Sequence, residues 1–71
     1  MMARKIIVNQ TLVTTLLQTK VERIADECGV SAVFVECRLR KDRRWLNEFE
    51  IHGEAGKVDG FFVRIKDLEV H

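Results

Sequence analysis

The feature that most constrains this chain is a change in the spacing of its apolar residues at Gly29. From Thr11 to Cys28, apolar residues recur every three or four positions, which is typical of a helix with one buried face. After Gly29 they recur at every second position, which is typical of a strand with one buried face. A chain that combines these two periods is expected to fold as a helix packed against a sheet.

The helical segment has signals at both of its ends. Asn9 or Thr11 can cap its start, and Gly29 stands where a left-handed residue commonly closes a helix. Upstream, Arg4–Val8 is short and rich in β-branched residues, which predicts a first strand. The apolar stripe of the predicted helix consists of Val13, Leu17, Val21, Ile24 and Cys28, widened by Leu12 and Leu16.

Three later segments alternate apolar and polar residues, which predicts a strand for each of them. They are Val30–Arg40, Trp45–His52 and Phe61–Lys66. Their connections are short, and Asp59-Gly60 in the second connection is a strong hairpin signal. The residues of the first of these strands that we expect to face the helix are Val33, Val35, Cys37 and Leu39.

These elements predict a small α+β fold that spans residues 1–71 as one domain. We expect one amphipathic helix on an antiparallel three-stranded meander plus a short N-terminal strand, in the order β-α-β-β-β. Charge complementarity suggests the register, because an acidic middle strand lies between two basic ones. The predicted pairs are Glu50 with Arg38 and Arg64, and Glu48 with Arg40 and Lys66.

Residues 24–39 also fit a second architecture. The residues that match a helix-turn-helix are Ile24-Ala25, Cys28-Gly29-Val30-Ser31 and Val35. Followed by two strands, this segment resembles the layout of the small phage Cro repressors, and Gln18-Thr19-Lys20 is similar to the start of their second helix. The resemblance implies a Cro-like helix-turn-helix with a C-terminal β-hairpin, whose recognition helix begins near Ser31 and lies in the major groove.

Two features favour the strand over the recognition helix. Val33 and Phe34 stand where recognition helices carry polar side chains that read bases. The stripe from Thr11 to Cys28 also runs in one phase, without the break that a helix-turn-helix needs between its first two helices. The conformation of residues 31–39 therefore decides between the two architectures.

The chain concentrates positive charge at the predicted turn between the second and third strands. Residues 38–44 contain five basic side chains and one acidic one, a net charge of +4, whereas the whole chain carries only +1. Basic side chains can hold phosphates while an indole stacks on a base. The predicted nucleic-acid-binding residues are Arg38, Arg40, Lys41, Arg43, Arg44 and Trp45. The alternative is a solvated charged surface, with Trp45 covering the core.

A second predicted surface is apolar. Phe34, Phe62 and Leu68 face outward in the predicted fold, and a chain with so small a core gains stability from a partner. The sequence therefore supports two functions. The first is a small, non-enzymatic regulatory protein that contacts DNA or RNA through residues 38–45. The alternative is a protein-interaction or homo-oligomerisation module with no nucleic-acid role.

Neither catalytic residues nor a cofactor are predicted. Cys28 and Cys37 are nine residues apart without a Cys-x-x-Cys motif, which argues against a metal site. Both thiols lie on predicted apolar faces and should react slowly until the protein unfolds. The longest apolar runs are too short for a signal peptide or a membrane span, so we expect a cytoplasmic protein with reduced cysteines and no membrane partner.

Overall fold

Within residues 5–69, which the computed structural model describes, the chain forms three strands and two helices. In chain order they are β1 (Ile7–Thr14), α1 (Gln18–Cys28), β2 (Ser31–Leu39), β3 (Trp45–Glu54) and α2 (Ala55–Glu69). β3 lies between β1 and β2 and is antiparallel to both. β1 and β2 are therefore parallel, joined by α1 and separated by the inserted β3, as in a split βαβ unit.

The predicted α+β class is confirmed, with two corrections at the level of elements. The order is β-α-β-β-α, because the last predicted strand is a helix. The third strand of the sheet is the N-terminal one, which is longer than predicted and pairs with β3 along its whole length. Arg4, the first residue of the predicted N-terminal strand, lies outside the described residues.

The N-terminal strand extends into the segment predicted as helix. Leu12 and Thr14 are buried while Val13 between them is exposed, so this stretch alternates with the period of a strand. Three of its four residues from Thr11 onward are β-branched, which favours the extended backbone. α1 begins only at Gln18. Its buried residues are Val21, Ile24 and Ala25.

The predicted end of α1 at Gly29 is confirmed. Gly29 has φ 73° and ψ 30°, in the left-handed region. Its N–H donates to the Asp26 carbonyl at 3.2 Å, and the N–H of Val30 donates to the Ala25 carbonyl at 2.9 Å. These two bonds form a Schellman motif, which satisfies carbonyls that the helix end would otherwise leave unpaired.

β2 is a strand, so the Cro-like alternative does not describe this chain. A bulge at Val35 interrupts its pairing, since Phe34 faces Phe49 but Glu36 faces Glu48. The extra residue reverses the alternation within the strand. Ala32 and Phe34 therefore share the face of Phe49 before the bulge, and Cys37 and Leu39 share it afterwards.

The bulge corrects the predicted orientation and register. Val33 faces Glu50 on the opposite side of the sheet, so its predicted contact with the helix is wrong, and Val35 sits in the bulge, 47% exposed. Arg38 faces Leu46, although its guanidinium still contacts Glu48 diagonally at 3.3 Å. The predicted pairings of Glu50 with Arg38 and Arg64, and of Glu48 with Arg40 and Lys66, are not observed.

Residues 61–66, predicted as a strand, belong to α2. Phe61 and Ile65 are buried, as a strand would require, but Val63 between them is 61% exposed. The buried set of α2 is instead helical in its spacing, and Asp59-Gly60 lies within the helix and makes no turn. The buried and partly buried residues of its stripe are Val58, Phe61, Phe62, Ile65 and Leu68.

The two helices cover the same face of the sheet. Phe49 and Ile51 of β3 are fully buried beneath them, and Phe49 lies between Leu12 on β1 and Phe34 on β2. At the surface, Arg64 of α2 donates to Glu27 of α1 at 2.6 Å, and this hydrogen bond raises the pKa of the Arg64 guanidinium. The core consists of Leu12, Val21, Ile24, Ala25, Val30, Phe49, Ile51, Val58, Phe61 and Ile65.

One buried polar side chain fixes the turn between β1 and α1. The Thr14 hydroxyl donates to the Glu69 carboxylate at 2.6 Å and accepts from the N–H of Leu16 at 3.2 Å. The Asn47 side chain donates to the Leu16 carbonyl at 2.9 Å. β1, β3 and the end of α2 are thus held together at the point where α1 begins.

Gly60→Ala should stabilise the protein by about 0.5–1 kcal/mol, because alanine favours a helix interior more than glycine does. A Cβ at this position meets nothing within 4 Å. The matched control is Gly53→Ala, whose Cβ would lie 3.0 Å from Val30 Cγ1 and should destabilise. Urea denaturation measures both. A loss of stability in Gly60→Ala would instead support a hairpin at Asp59-Gly60.

Thr14→Val should lower the free energy of unfolding by about 1–2 kcal/mol, because two partly buried hydrogen bonds are lost. This loss should outweigh the gain from valine, which is more apolar and favours strands. The control is Thr11→Val on the solvent-exposed face of β1, where the change should stay within about 0.5 kcal/mol. Thermal or urea unfolding compares the two variants. Equal stabilities would contradict the role of the Thr14 hydroxyl.

Candidate nucleic-acid interface

The β2–β3 hairpin extends past the rest of the molecule. β1 pairs with β3 only as far as Thr14 opposite Asn47, whereas β2 continues to Leu39 opposite Trp45. We call residues 38–46 the arm. The molecule is 52 Å long with a radius of gyration of 13.1 Å. That radius exceeds the value of about 11 Å expected for a compact chain of this length, which agrees with a projecting hairpin.

A three-residue turn closes the arm. The N–H of Arg40 donates to the Arg44 carbonyl at 2.8 Å, and the N–H of Arg43 donates to the Arg40 carbonyl at 3.0 Å. Arg43 has φ 66°, the left-handed conformation that commonly follows a type I turn in such hairpins. The Asp42 carboxylate accepts a hydrogen bond from the N–H of Arg44 at 3.1 Å, which fixes the turn locally.

Strand alternation gives the arm two different faces. Arg38 and Leu46 face each other on the side of the sheet away from the helices, which we call the outer face. Arg40 and Arg44 are two residues further along each strand and therefore share that face. Leu39 and Trp45 face each other on the inner face, which is the face that carries the helices.

The structure brings the six predicted nucleic-acid-binding residues into one arm but separates the indole from the guanidinium groups. Three arginines lie on the outer face, and Lys41 and Arg43 lie in the turn. Trp45 is on the inner face and is 59% exposed, so it does not cover the core. The arm thus presents a cationic outer face and tip, and a short apolar inner face.

Ion pairs neutralise some of the arm's charge. Arg38 lies 3.3 Å from carboxylate oxygens of both Glu36 and Glu48. Arg40 and Arg44 approach Asp42 more loosely, at 3.8 and 3.9 Å. Such exposed pairs are weak and screened by salt, so a phosphate can displace them.

Lys41 and Arg43 make no ion pair with any carboxylate in residues 5–69. Both are exposed, and they lie on either side of Asp42 in the turn. The tip is therefore the part of the arm where positive charge is most available to a ligand. Beside it lies an open groove of about 540 Å³, lined by Arg38, Leu39, Arg40, Lys41, Asp42 and Leu46.

The predicted apolar surface is divided between two elements. Phe34 on β2 is 37% exposed and packs edge to face on Phe49, with ring centroids 5.6 Å apart. Phe62 and Leu68 are on α2, where both are partly buried against the core. Some residues of β2 that were predicted to face the helix are more exposed than Phe34. Val33 is 50% exposed and Leu39 is 56% exposed.

The predicted burial of both thiols is only partly correct. Cys28 is half-buried at the end of α1, but Cys37 is exposed. Cys37 does belong to the inner face, as predicted, and it is exposed because the helices do not extend over that part of β2. In the described part of the chain, no three side chains of histidine, cysteine, aspartate or glutamate are grouped so that they could share a metal ion.

Neither described helix is long and apolar enough to cross a membrane. No protein-family model matches the chain, and neither a curated protein nor a solved structure shows significant similarity to it.

Arg43→Gly should raise the free energy of unfolding by about 0.5–1 kcal/mol, because glycine adopts the left-handed conformation without the steric cost that arginine bears there. Arg43→Ala is the control, since it removes the same charge and keeps the strain. Urea denaturation should separate the two variants. Equal stability of the glycine and alanine variants would contradict a left-handed residue at the tip.

Proposed function

We propose that this protein is a small regulatory binding protein, without catalytic activity, that contacts nucleic acid through the arm. The observation that carries the proposal is the placement of five basic side chains on the outer face and tip of a hairpin that projects beyond both helices. A local field of this kind steers an anionic partner even though the whole chain carries only +1.

The shape of the arm suits a groove. A two-stranded ribbon can enter the major groove of B-DNA, which is about 12 Å wide, and several DNA-binding proteins read bases with such a ribbon. Lys41 and Arg43 at the tip would contact phosphates first. Arg40 and Arg44 would then exchange Asp42 for phosphate oxygens, which a guanidinium can hold in bidentate fashion.

Trp45 distinguishes the two kinds of nucleic acid that the arm could take. On the inner face it cannot lie in the same contact plane as the arginines of the outer face. It can stack on an unpaired base of a single strand that passes around the arm, as exposed aromatic residues do in single-strand binders. Groove binding by the outer face makes Trp45 dispensable, whereas single-strand binding requires it.

We place the activity in the cytoplasm, where both thiols would remain reduced.

The second candidate function is interaction with protein, including a second copy of the chain. It is favoured by the exposure of Val33, Val35 and Leu39 along one strand.

Replacing Lys41 and Arg43 by alanine should weaken binding to duplex DNA and to single-stranded RNA, and should lower the slope of log affinity against log salt by up to about 2. The control is the double alanine variant of Lys20 and Lys66, exposed lysines of α1 and α2, which changes the net charge equally. Fluorescence anisotropy across a salt series measures both variants. Equal losses in the two would assign the binding to net charge instead of the arm.

Asp42→Asn supplies a test of opposite sign. The amide oxygen can still accept the hydrogen bond from Arg44, while the negative charge at the tip is removed. Binding at low salt should therefore become tighter, with little change in stability. Absence of binding by the parent protein at low salt would refute the proposal. Trp45→Ala then separates the two ligands, since it should weaken single-strand binding alone.

A further inference from the structure

The edge of β2 that faces away from β3, which we call the free edge, is long and uncovered. Within residues 5–69, β2 pairs only with β3, which leaves its other edge open. Five of the ten large apolar side chains exposed in these residues lie on the β2–β3 hairpin: Val33, Phe34, Val35, Leu39 and Trp45. An open edge of this kind is a template for pairing with another strand. The question is which strand fits it.

Backbone geometry identifies the groups that are available at this edge. Arg40 and Arg44 form a hydrogen-bonded pair at the base of the turn. In an antiparallel ladder such pairs alternate with pairs that are not hydrogen-bonded. The N–H and C=O groups of Arg38 therefore point toward β3, whereas those of Cys37 and Leu39 point outward to the free edge.

The side chains at this edge are complementary to themselves. We propose that β2 pairs with β2 of a second copy of this chain, antiparallel, about a two-fold axis at Cys37. In that register Glu36 faces the partner's Arg38, and Arg38 faces the partner's Glu36. Moving the axis by one residue would instead place Glu36 opposite Glu36 or Arg38 opposite Arg38, which like-charge repulsion disfavours.

Two independent features agree with this axis. The N–H and C=O groups of Cys37 point to the free edge, so they can form a hydrogen-bonded pair with the same groups of the partner's Cys37 across the axis. The same register sets Leu39, 56% exposed in the single chain, opposite the partner's Val35, which is 47% exposed. Both thus gain an apolar neighbour.

The resulting dimer would have a continuous sheet of six strands with all four helices on one side. This follows because the axis is perpendicular to the sheet, so the inner faces of the two copies coincide. This interface goes beyond the proposed nucleic-acid role and does not depend on it. Its test is made without nucleic acid, so failure of either proposal leaves the other intact.

Charge reversal along β2 tests the register by sedimentation or light scattering. The parent should have twice the mass of the 8.3 kDa chain at micromolar concentration. Glu36→Arg or Arg38→Glu alone places like charges opposite each other across the axis. Each should raise the dissociation constant of the dimer by about tenfold or more. The double variant restores opposite charges across the axis and should dimerise again. In the double variant, the side chain introduced by Glu36→Arg also faces Glu48 within the chain, and it can replace the ion pair that Arg38 makes with Glu48.

Cysteine crosslinking tests the axis without relying on the charge variants. A hydrogen-bonded antiparallel pair has Cα atoms about 5.5 Å apart, which a disulfide can span. Diamide should therefore link two Cys37 thiols, taking up the two protons and two electrons that they lose. Cys37→Ser should abolish the covalent dimer, and Cys28→Ser should not. A monomeric parent, a dimer that neither single charge variant weakens, or crosslinking through Cys28 would each overturn the proposal.

Discussion

The unequal rise per residue of helices and strands is the constraint on which the shape of this molecule depends. α1 has 11 residues and spans about 16 Å, at 1.5 Å per residue. β2 has nine residues and spans about 30 Å, at 3.4 Å per residue. A helix of this length cannot cover the strand that follows it. The uncovered part of the β2–β3 hairpin is the arm, with its charges and its exposed apolar residues.

The bulge at Val35 decides what the arm presents on each side. If Val35 occupied a regular position in the ladder, the alternation that puts Phe34 on the core face would put Arg38 and Arg40 there too. The reversal instead turns Cys37 and Leu39 toward the inner face and the arginines toward the outer one. The bulge, which keeps Val35 out of the ladder, thus separates the cationic surface from the apolar one, and both proposals for the arm rest on that separation.

The sequence predicted the parts of this fold that depend on local pattern. Gly29 ends α1, β2 and β3 are strands, and residues 38–44 carry the concentrated charge, because periodicity and composition determine each of these. It did not predict that Phe61–Lys66 is helical. There, Phe61, Val63 and Ile65 stand at every second position, which matches a strand. Only the packing of α2 on α1 and the sheet distinguishes the helix, since it buries Val58 and leaves Val63 exposed. The bulge was also missed, since nothing local to Val35 marks it.

The two proposed interactions of the arm share the Arg38 side chain but otherwise use different groups, and they are geometrically compatible. Pairing at the β2 edge engages outward backbone groups of Cys37 and Leu39, and leaves Lys41 and Arg43 in the turn. Because the two-fold axis is perpendicular to the sheet, the outer faces of both arms lie on the same side, opposite the four helices. Arg40 lies three residues from the axis, about 10 Å along the strand. The cationic faces of two arms would then form one continuous surface, which doubles the number of phosphate contacts and steepens the salt dependence of binding accordingly.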